Sequence, residues 1–384
     1  MTRRNLILII LLFTTTFSFA QDCNCKTTYE WVKETFEKND AGFQYIIDKK
    51  GEASYTIHND LYSKKVKRIK NPNDCETVIR EWLSFFRKSH IEFHYIAKTN
   101  NNIEPVKTTQ NDSETKISDN VNYQLNPLYE RFLKSQKPFI ERLNSRTLYL
   151  RIPSFNGNEK PLIDSLIAKN INEIGNVENL IIDIRNGTGG NDDSYQNIMP
   201  FIYTNPIRMP SVEFLSTPLN NQRMYEMATN TGLALEIGLN PTKEQMADFQ
   251  AKFGILNNHI GEFVNLNSEK VRITKEDTIY KYPKQIGIII NQNNVSTDEQ
   301  FILEAKQSKK VKLFGRTTKG GLDVSNLNVT FSENKEFVLV YALSRSLRIP
   351  NMVVDDIGIM PDYFLDNEIH EKDWIDYVSK ILNE

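Results

Sequence analysis

Apolar positions recur at helical spacing through the first hundred residues, whereas the second half reads as short apolar runs separated by glycine-bearing turns. From 27 to about 70 the pattern is helical: Trp31, Val32, Thr35 and Phe36 fall on one face, and the stretch ends in basic residues. A further helix, capped by Asn73 or Asp74, runs to about Lys88 and lines up Val78, Ile79, Trp82, Leu83 and Phe86. From Ile91 the sequence I-E-F-H-Y-I alternates like a strand. Residues 98–122 are polar and rich in turn formers, so 98–146 reads as a linker or long surface loop.

The second half opens with the strand T-L-Y-L-R-I at 147–152 and a helix over 159–174. The strand L-I-I-D-I at 180–184 follows, then the turn R-N-G-T-G-G, then a helix capped by Asp192 or Asp193 that reaches Ile202. That succession is the signature of parallel βαβ construction. Residues 211–273 interrupt it with helical stretches at 221–237 and 242–253 and no strand of equal quality, which predicts an inserted cap. Next comes Q-I-G-I-I-I at 285–290, a β-branched run expected to be a central strand. K-V-K-L-F-G at 310–315 is another strand, and the turn T-T-K-G-G-L-D leads into a hairpin around Glu333, Asn334 and Lys335. The segment D-D-I-G-I-M-P-D and a helix over 371–382 close the chain. The fold class is therefore α/β: a helical N-terminal domain at 21–97, a connection at 98–146, and a larger domain at 147–384.

The 384 residues carry a net charge of −2, so no basic excess argues for a nucleic-acid or anionic-membrane partner. Arg3 and Arg4, an apolar run over 6–13 and Ser18-Phe19-Ala20 form a signal peptide with cleavage expected after Ala20, too short in its apolar run to span a bilayer. Ala-Gln-Asp before Cys23 is a poor lipidation site. An exported chain meets an oxidising compartment, and Cys75 can pair with Cys23 or Cys25, leaving one thiol over. Three cysteines without a nearby histidine do not make a zinc set, and neither a G-x-G-x-x-G frame nor a P-loop lysine is present. No cofactor is implied.

Candidate chemistry centres on Ser296, at the junction of the 285–290 strand and the T-D-E-Q-F-I-L-E-A helix. Free N–H groups and the helix dipole make such a junction suited to a developing anion. The same S-x-x-E pattern, with Glu299, is equally a capping box. Of five histidines, His58, His259 and His370 read as surface residues, while His90 and His94 flank the turn from helix to strand. The glycines 187–190 make either a tight turn or an anion cradle. Serine hydrolysis needs a hydroxyl, a base and oxyanion donors, and spacing alone does not bring these residues together.

Three segments supply a resemblance. L-I-I-D-I-R-N-G-T-G-G, I-I-I-N-Q-N-N-V-S-T-D-E-Q-F and D-D-I-G-I-M-P-D resemble, in order, the oxyanion loop, the strand–serine–helix and the G-[IV]-x-P-D signature of the S41 peptidases, the C-terminal-processing family. The resemblance covers about 147–365 and implies a ClpP/crotonase-like catalytic domain with Ser296 as nucleophile. Where the processing branch carries its lysine base, this chain has Gly321, and Lys319 stands two residues early. T-T-K-G-G is similar instead to the T-x-G-G turn of the tricorn-like branch, whose base is the histidine of an S-H pair; Ser89-His90 matches it. Asp355 occupies the place of that branch's relay carboxylate, usually a glutamate, with Asp356 adjacent. Thr188 replaces the first of three glycines, so Gly189, then Gly190, and the N–H of Thr297 are the implied oxyanion donors.

The expectation is an exported serine peptidase acting on peptides or proteins through Ser296 and His90. Alternatives are a Ser/Lys enzyme using Lys319, or an inactive protein of the same fold that binds peptide or hydrophobic ligands. A PDZ-like region and the tricorn propellers are both missing, so selectivity for free C-termini is not inherited.

Overall fold

The computed structural model describes residues 24–96, 127–236 and 241–384. The expected signal peptide with its cleavage point, Cys23 and the polar stretch 98–122 lie outside the described residues. Among the described residues no helix is long and apolar enough to cross a membrane.

The larger unit is built on a six-stranded sheet. Its spatial order is Tyr363–Phe364, Val311–Gly315, Gln285–Ile290, Asn179–Asp183, Thr147–Arg151, Phe139–Arg142. All neighbours are parallel except the last pair, which is antiparallel. Alternate side chains of the central strands enter two different cores. Leu148, Leu150, Leu180, Ile182, Ile286 and Ile288 pack under the helices Lys160–Lys169 and Thr297–Ala305. Tyr149, Ile181 and Ile289 pack under Trp374–Asn383. Burial on both faces explains why these strands read as unbroken apolar runs. All parallel strands end at the same edge, and there the loops after Asp183 and Ile290 lie side by side.

Two expectations for this unit need correction. The connection assigned to 98–146 contains the helix Pro127–Lys134 and the strand Phe139–Arg142, so the sheet begins eight residues before position 147. After the glycine turn there is no continuous helix: Asn191, not Asp192 or Asp193, accepts the Asp193 N–H and caps a short 3-10 turn, and Met199–Ile202 follows.

The second sheet is antiparallel. Its spine is the hairpin Val324–Phe331 and Phe337–Ser346, turning where the sequence places it. Glu92–Tyr95 and Val212–Leu215 share the other edge of Phe337–Ser346. Residues 211–273 therefore do hold strands, including Phe263–Val264 and Val271–Thr274, beside the helices Pro218–Thr229 and Lys243–Asn257. These strands are too short to show a period in sequence; pairing makes them, Val212–Leu215 on the hairpin, Phe263–Val264 on Val212–Leu215, and Val271–Thr274 on Ile207–Pro210.

The N-terminal helices Cys25–Asn39, Phe43–Lys50, Glu52–Lys65 and Pro72–Leu83 bury an aromatic-rich core of Phe36, Trp82 and Phe86. Phe337, Leu339, Tyr341 and Leu343 of the hairpin complete that core, so the helical unit folds onto the second sheet rather than standing free. Asn71 caps the fourth helix through the N–H groups of Asn73 and Asp74, with Pro72 at the first helical position. A disulfide joins Cys25 to Cys75, resolving the pairing between the two candidates. Closing a loop across 50 residues restricts the unfolded chain.

Candidate active site

Ser296 caps the helix Thr297–Ala305 with φ 60° and ψ −120°. A non-glycine residue held there stores about 1–3 kcal/mol of strain and persists only when its surroundings enforce it. Three contacts do so. Ser296 N–H donates to the Gly321 carbonyl at 3.1 Å and to Glu299 Oε2 at 3.3 Å, while the Ser296 carbonyl accepts from Gln300 N–H at 2.9 Å. Glu299 thus belongs to a cap, as the S-x-x-E pattern suggests, but its buried carboxylate does more. It also accepts from the Thr318 hydroxyl and from the N–H groups of Gly320 and Gly321, both at 2.8 Å. It buckles the T-T-K-G-G turn to the serine. Burial raises this carboxyl above its ordinary value, against the pull of those donors.

Asparagines bind the serine turn to the glycine loop. Asn294 Nδ2 donates to the Ile184 carbonyl at 2.6 Å, Asn291 Oδ1 accepts the Asn186 N–H at 3.0 Å, and Asn291 Nδ2 reaches Asn186 Oδ1 at 2.7 Å. Under the loop, buried Arg185 grips Asp183, and Arg151 donates to the Arg185 carbonyl at 2.8 Å. A Cβ on Gly189 would sit 2.8 Å from Ser296 Cβ and 3.3 Å from its Oγ, so this loop is pressed against the serine. A Cβ on Gly190 would strike the Phe155 carbonyl at 2.2 Å. Below lies the Asp298 carboxyl, which burial pushes up to about 7 while Asn294 and the N–H dipoles of Val295 and Gly189 oppose the rise. Of the two glycines, Gly190 is on the cleft wall with Thr188 and Thr297.

His90 comes from the other unit. Its backbone has φ 61°. Arg87 enforces this turn: its Nε donates to the Ser89 carbonyl at 3.1 Å and its Nη2 to the His90 carbonyl at 3.0 Å. The same guanidinium makes a buried bidentate pair with Asp40, at 2.7 and 2.5 Å. His90 Nδ1 lies 2.6 Å from the Val324 carbonyl. A carbonyl can only accept, so Nδ1 carries the proton and Nε2 keeps its lone pair in the neutral ring. Burial pushes His90 down to about 4, and the charges of Arg87 and Lys319 add to the shift.

Gly321 joins the halves. Its carbonyl holds Ser296 N–H, and a Cβ there would meet Ser89 Cβ at 2.5 Å and Val295 Cγ2 at 2.8 Å. Ser89 fills the space that a side chain at 321 would need, so a base at 321 and this placement of Ser89-His90 exclude each other. Ser89 Oγ is buried without a hydrogen-bond partner. Lys319 is exposed on the cleft wall, its N–H held by the Asn294 carbonyl at 2.9 Å.

Among the described residues no hydrogen bond joins Asp355 to the imidazole. Its carboxylate accepts from the N–H groups of Leu322, Asp323 and Val324 at 2.6, 2.7 and 3.2 Å, and so braces the segment whose carbonyl holds His90. Burial and the Asp323 carboxylate raise Asp355 to about 6. Asp356, at φ 64°, donates its N–H to the Gly320 carbonyl. Among the described residues no hydrogen bond joins Ser296 Oγ to His90. Of the other histidines, His58 stacks on Phe85, His94 bridges Glu76 and Glu92, and His259 meets Glu262.

Ser89, His90, Gly190, Ser296, Thr297 and Lys319 line one cleft of about 1680 Å³. Sequence reasoning missed Arg87, Asp40, Asn186, Asn291 and Asn294. Only the close spacing of three asparagines before Ser296 offered a signal; the ion pair spans 47 residues and left none.

The sequence profile of peptidase family S41 matches residues 146–365. The fold is similar to a putative peptidase from Parabacteroides merdae ATCC 43184, at 13% identity and TM-score 0.58 over 94% of this chain and 98% of that one. It is also similar to mature CPAF, at 12% identity and TM-score 0.59 over 94% and 96%. No curated protein matches the chain. With over half of its length under one family profile, the chain belongs to peptidase family S41 and is a serine-type peptidase.

Proposed function

We propose that this peptidase works through Ser296 as nucleophile and His90 as base. The observation that carries the reading is the His90 Nδ1–Val324 carbonyl contact, which leaves Nε2 as acceptor, in a ring that burial keeps neutral near pH 7. His90 Nε2 takes the Ser296 Oγ proton as oxygen attacks the peptide carbonyl. The resulting oxyanion is held by Thr297 N–H and a glycine N–H of the 189–190 pair, each donor worth about 3–4 kcal/mol. His90 then protonates the departing amine. A water attacks the acyl-enzyme, gives its proton to His90, and the peptide leaves with Ser296 restored. The Ser296–His90 hydrogen bond closes when substrate excludes water from the cleft, as is common in free enzymes. Ser89 and Asp355 act as positioning residues, the latter through the backbone of 322–324.

Export is part of the proposal. The leader pattern of residues 1–20 supports it, and so does the Cys25–Cys75 disulfide, since such bonds persist in oxidising compartments. A fluorophosphonate probe should label the purified chain and fail to label Ser296→Ala. Labelling that survives this substitution would sink the assignment of the nucleophile.

A further inference from the structure

The cleft is cationic although the chain is not. Seven Lys or Arg side chains line it against two acidic ones, Glu92 and Asp192, whereas the whole chain carries −2. Several of these cations are already neutralised within the fold: Arg272 by Glu304, Arg348 by Asp323, and Arg151 beside Asp183. Lys88, Lys319 and Arg223 have no ion pair among the described residues. The two lysines are exposed, one preceding Ser89-His90 and the other in the turn buckled to Ser296.

Arg223 differs from them. It is half-buried on the helix Pro218–Thr229, and burial without a compensating charge lowers its guanidinium below the ordinary value. A half-buried cation with no carboxylate in ion-pair reach leaves its N–H donors open to an anionic ligand. Its helix is held in place one turn earlier. Thr217 Oγ1 donates to Asn39 Oδ1 at 2.6 Å, Asn220 Nδ2 donates to the Asn39 carbonyl at 2.9 Å, and Tyr341 OH donates to Asn220 Oδ1 at 2.9 Å. The guanidinium is thus presented from a fixed frame, which lowers the ordering cost of binding.

We propose that the cleft selects peptide segments bearing acidic side chains, with the Arg223 guanidinium as carboxylate receptor and Lys88 and Lys319 as its supporting field. The inference rests on the reading of this cleft as the peptidase site. An arginine fork suits a carboxylate through two parallel N–H donors, and uncompensated cations in a concave wall concentrate anionic ligands.

The test uses the full chain carrying Ser296→Ala and fluorescein-labelled peptides that differ at one central residue, Glu, Gln or Lys, each with a free or an amidated C-terminus. Anisotropy should show Glu binding about tenfold tighter than Gln, and Lys weaker than both, whatever the C-terminus. Added salt should narrow the gap. Arg223→Gln should erase the Glu–Gln difference and leave the affinity for the Gln peptide unchanged, while Arg223→Lys should keep part of it. Equal binding of Glu and Gln, a preference that survives Arg223→Gln, or one that follows the free C-terminus instead of the side chain would overturn the proposal. Fluorophosphonate labelling of the unsubstituted chain separates the two readings. Discrimination without labelling removes the peptidase mechanism alone, and labelling without discrimination removes the acidic selectivity alone.

Discussion

The two halves of the proposed catalytic cleft are built by different means. The nucleophile half is local: Ser296, Glu299, Asn291 and Asn294 lie within nine residues, and the glycine loop they grip follows the adjacent parallel strand. The base half is assembled by docking. His90 sits on the helical unit, its turn is held by Arg87 and Asp40, and its ring is fixed by a carbonyl 234 residues away. Asp40 also accepts the Ala342 N–H at 3.1 Å, so the ion pair that shapes the His90 turn is a tie between the units. Strain is held in both halves, at Ser296 and His90. The lesson is that the proposed nucleophile is positioned by short-range contacts while the proposed base depends on the integrity of an interface.

The sharpest way to break this contrast is to remove the docked base. His90→Ala should lower kcat/KM by about 10⁴-fold or more with little change in melting temperature. Lys319→Ala should stay within a few-fold of the unsubstituted enzyme. The opposite pattern would return the base to the catalytic sheet and end the comparison. Next in size, Arg87→Met strands the buried Asp40 carboxylate and should cost about 3–5 kcal/mol in denaturant unfolding. A near-neutral result would mean that the ion pair does not bind the units together.

Gly321→Ala probes the seam itself. A methyl group 2.5 Å from Ser89 Cβ forces one half to move, at about 1–3 kcal/mol of stability. The displacement should reduce kcat by about 100-fold, and wild-type turnover in this variant would show the seam to be loose. The smallest effect is on pH dependence. The folded value of His90, about 4, lies below the ordinary 6.5, so the neutral base survives well into acid. Its contribution to stability is present above about pH 6.5 and is lost as pH falls through about 4. The acid limb of kcat/KM should therefore fall near pH 4; a limb near 6.5 would show water reaching the ring.

Legibility followed the same division. The strands 285–290 and 180–184, the glycine loop and the serine junction were readable because buried parallel strands, turns and helix starts each impose a local residue pattern. The strands of 211–273 were not, since two to four residues cannot display a period and owe their form to the strands they pair with. Asp355 stands at the relay position of its motif, yet its oxygens accept from three backbone N–H groups. A side chain's partner is decided by whichever donors the fold brings within 3 Å, and one position in a motif does not name them.

From the sequence alone came the α/β class, the candidate nucleophile and the two candidate bases, because glycine spacing, apolar runs and the S-x-x-E junction are constraints felt within a few residues. Tertiary structure alone decided that Ser89 lies against Gly321. It alone showed that His90 Nδ1 meets the Val324 carbonyl and that Arg223 lines the cleft without an ion pair among the described residues. Each of those facts is a close approach between segments far apart in the chain, and burial and packing set them at distances no local pattern encodes.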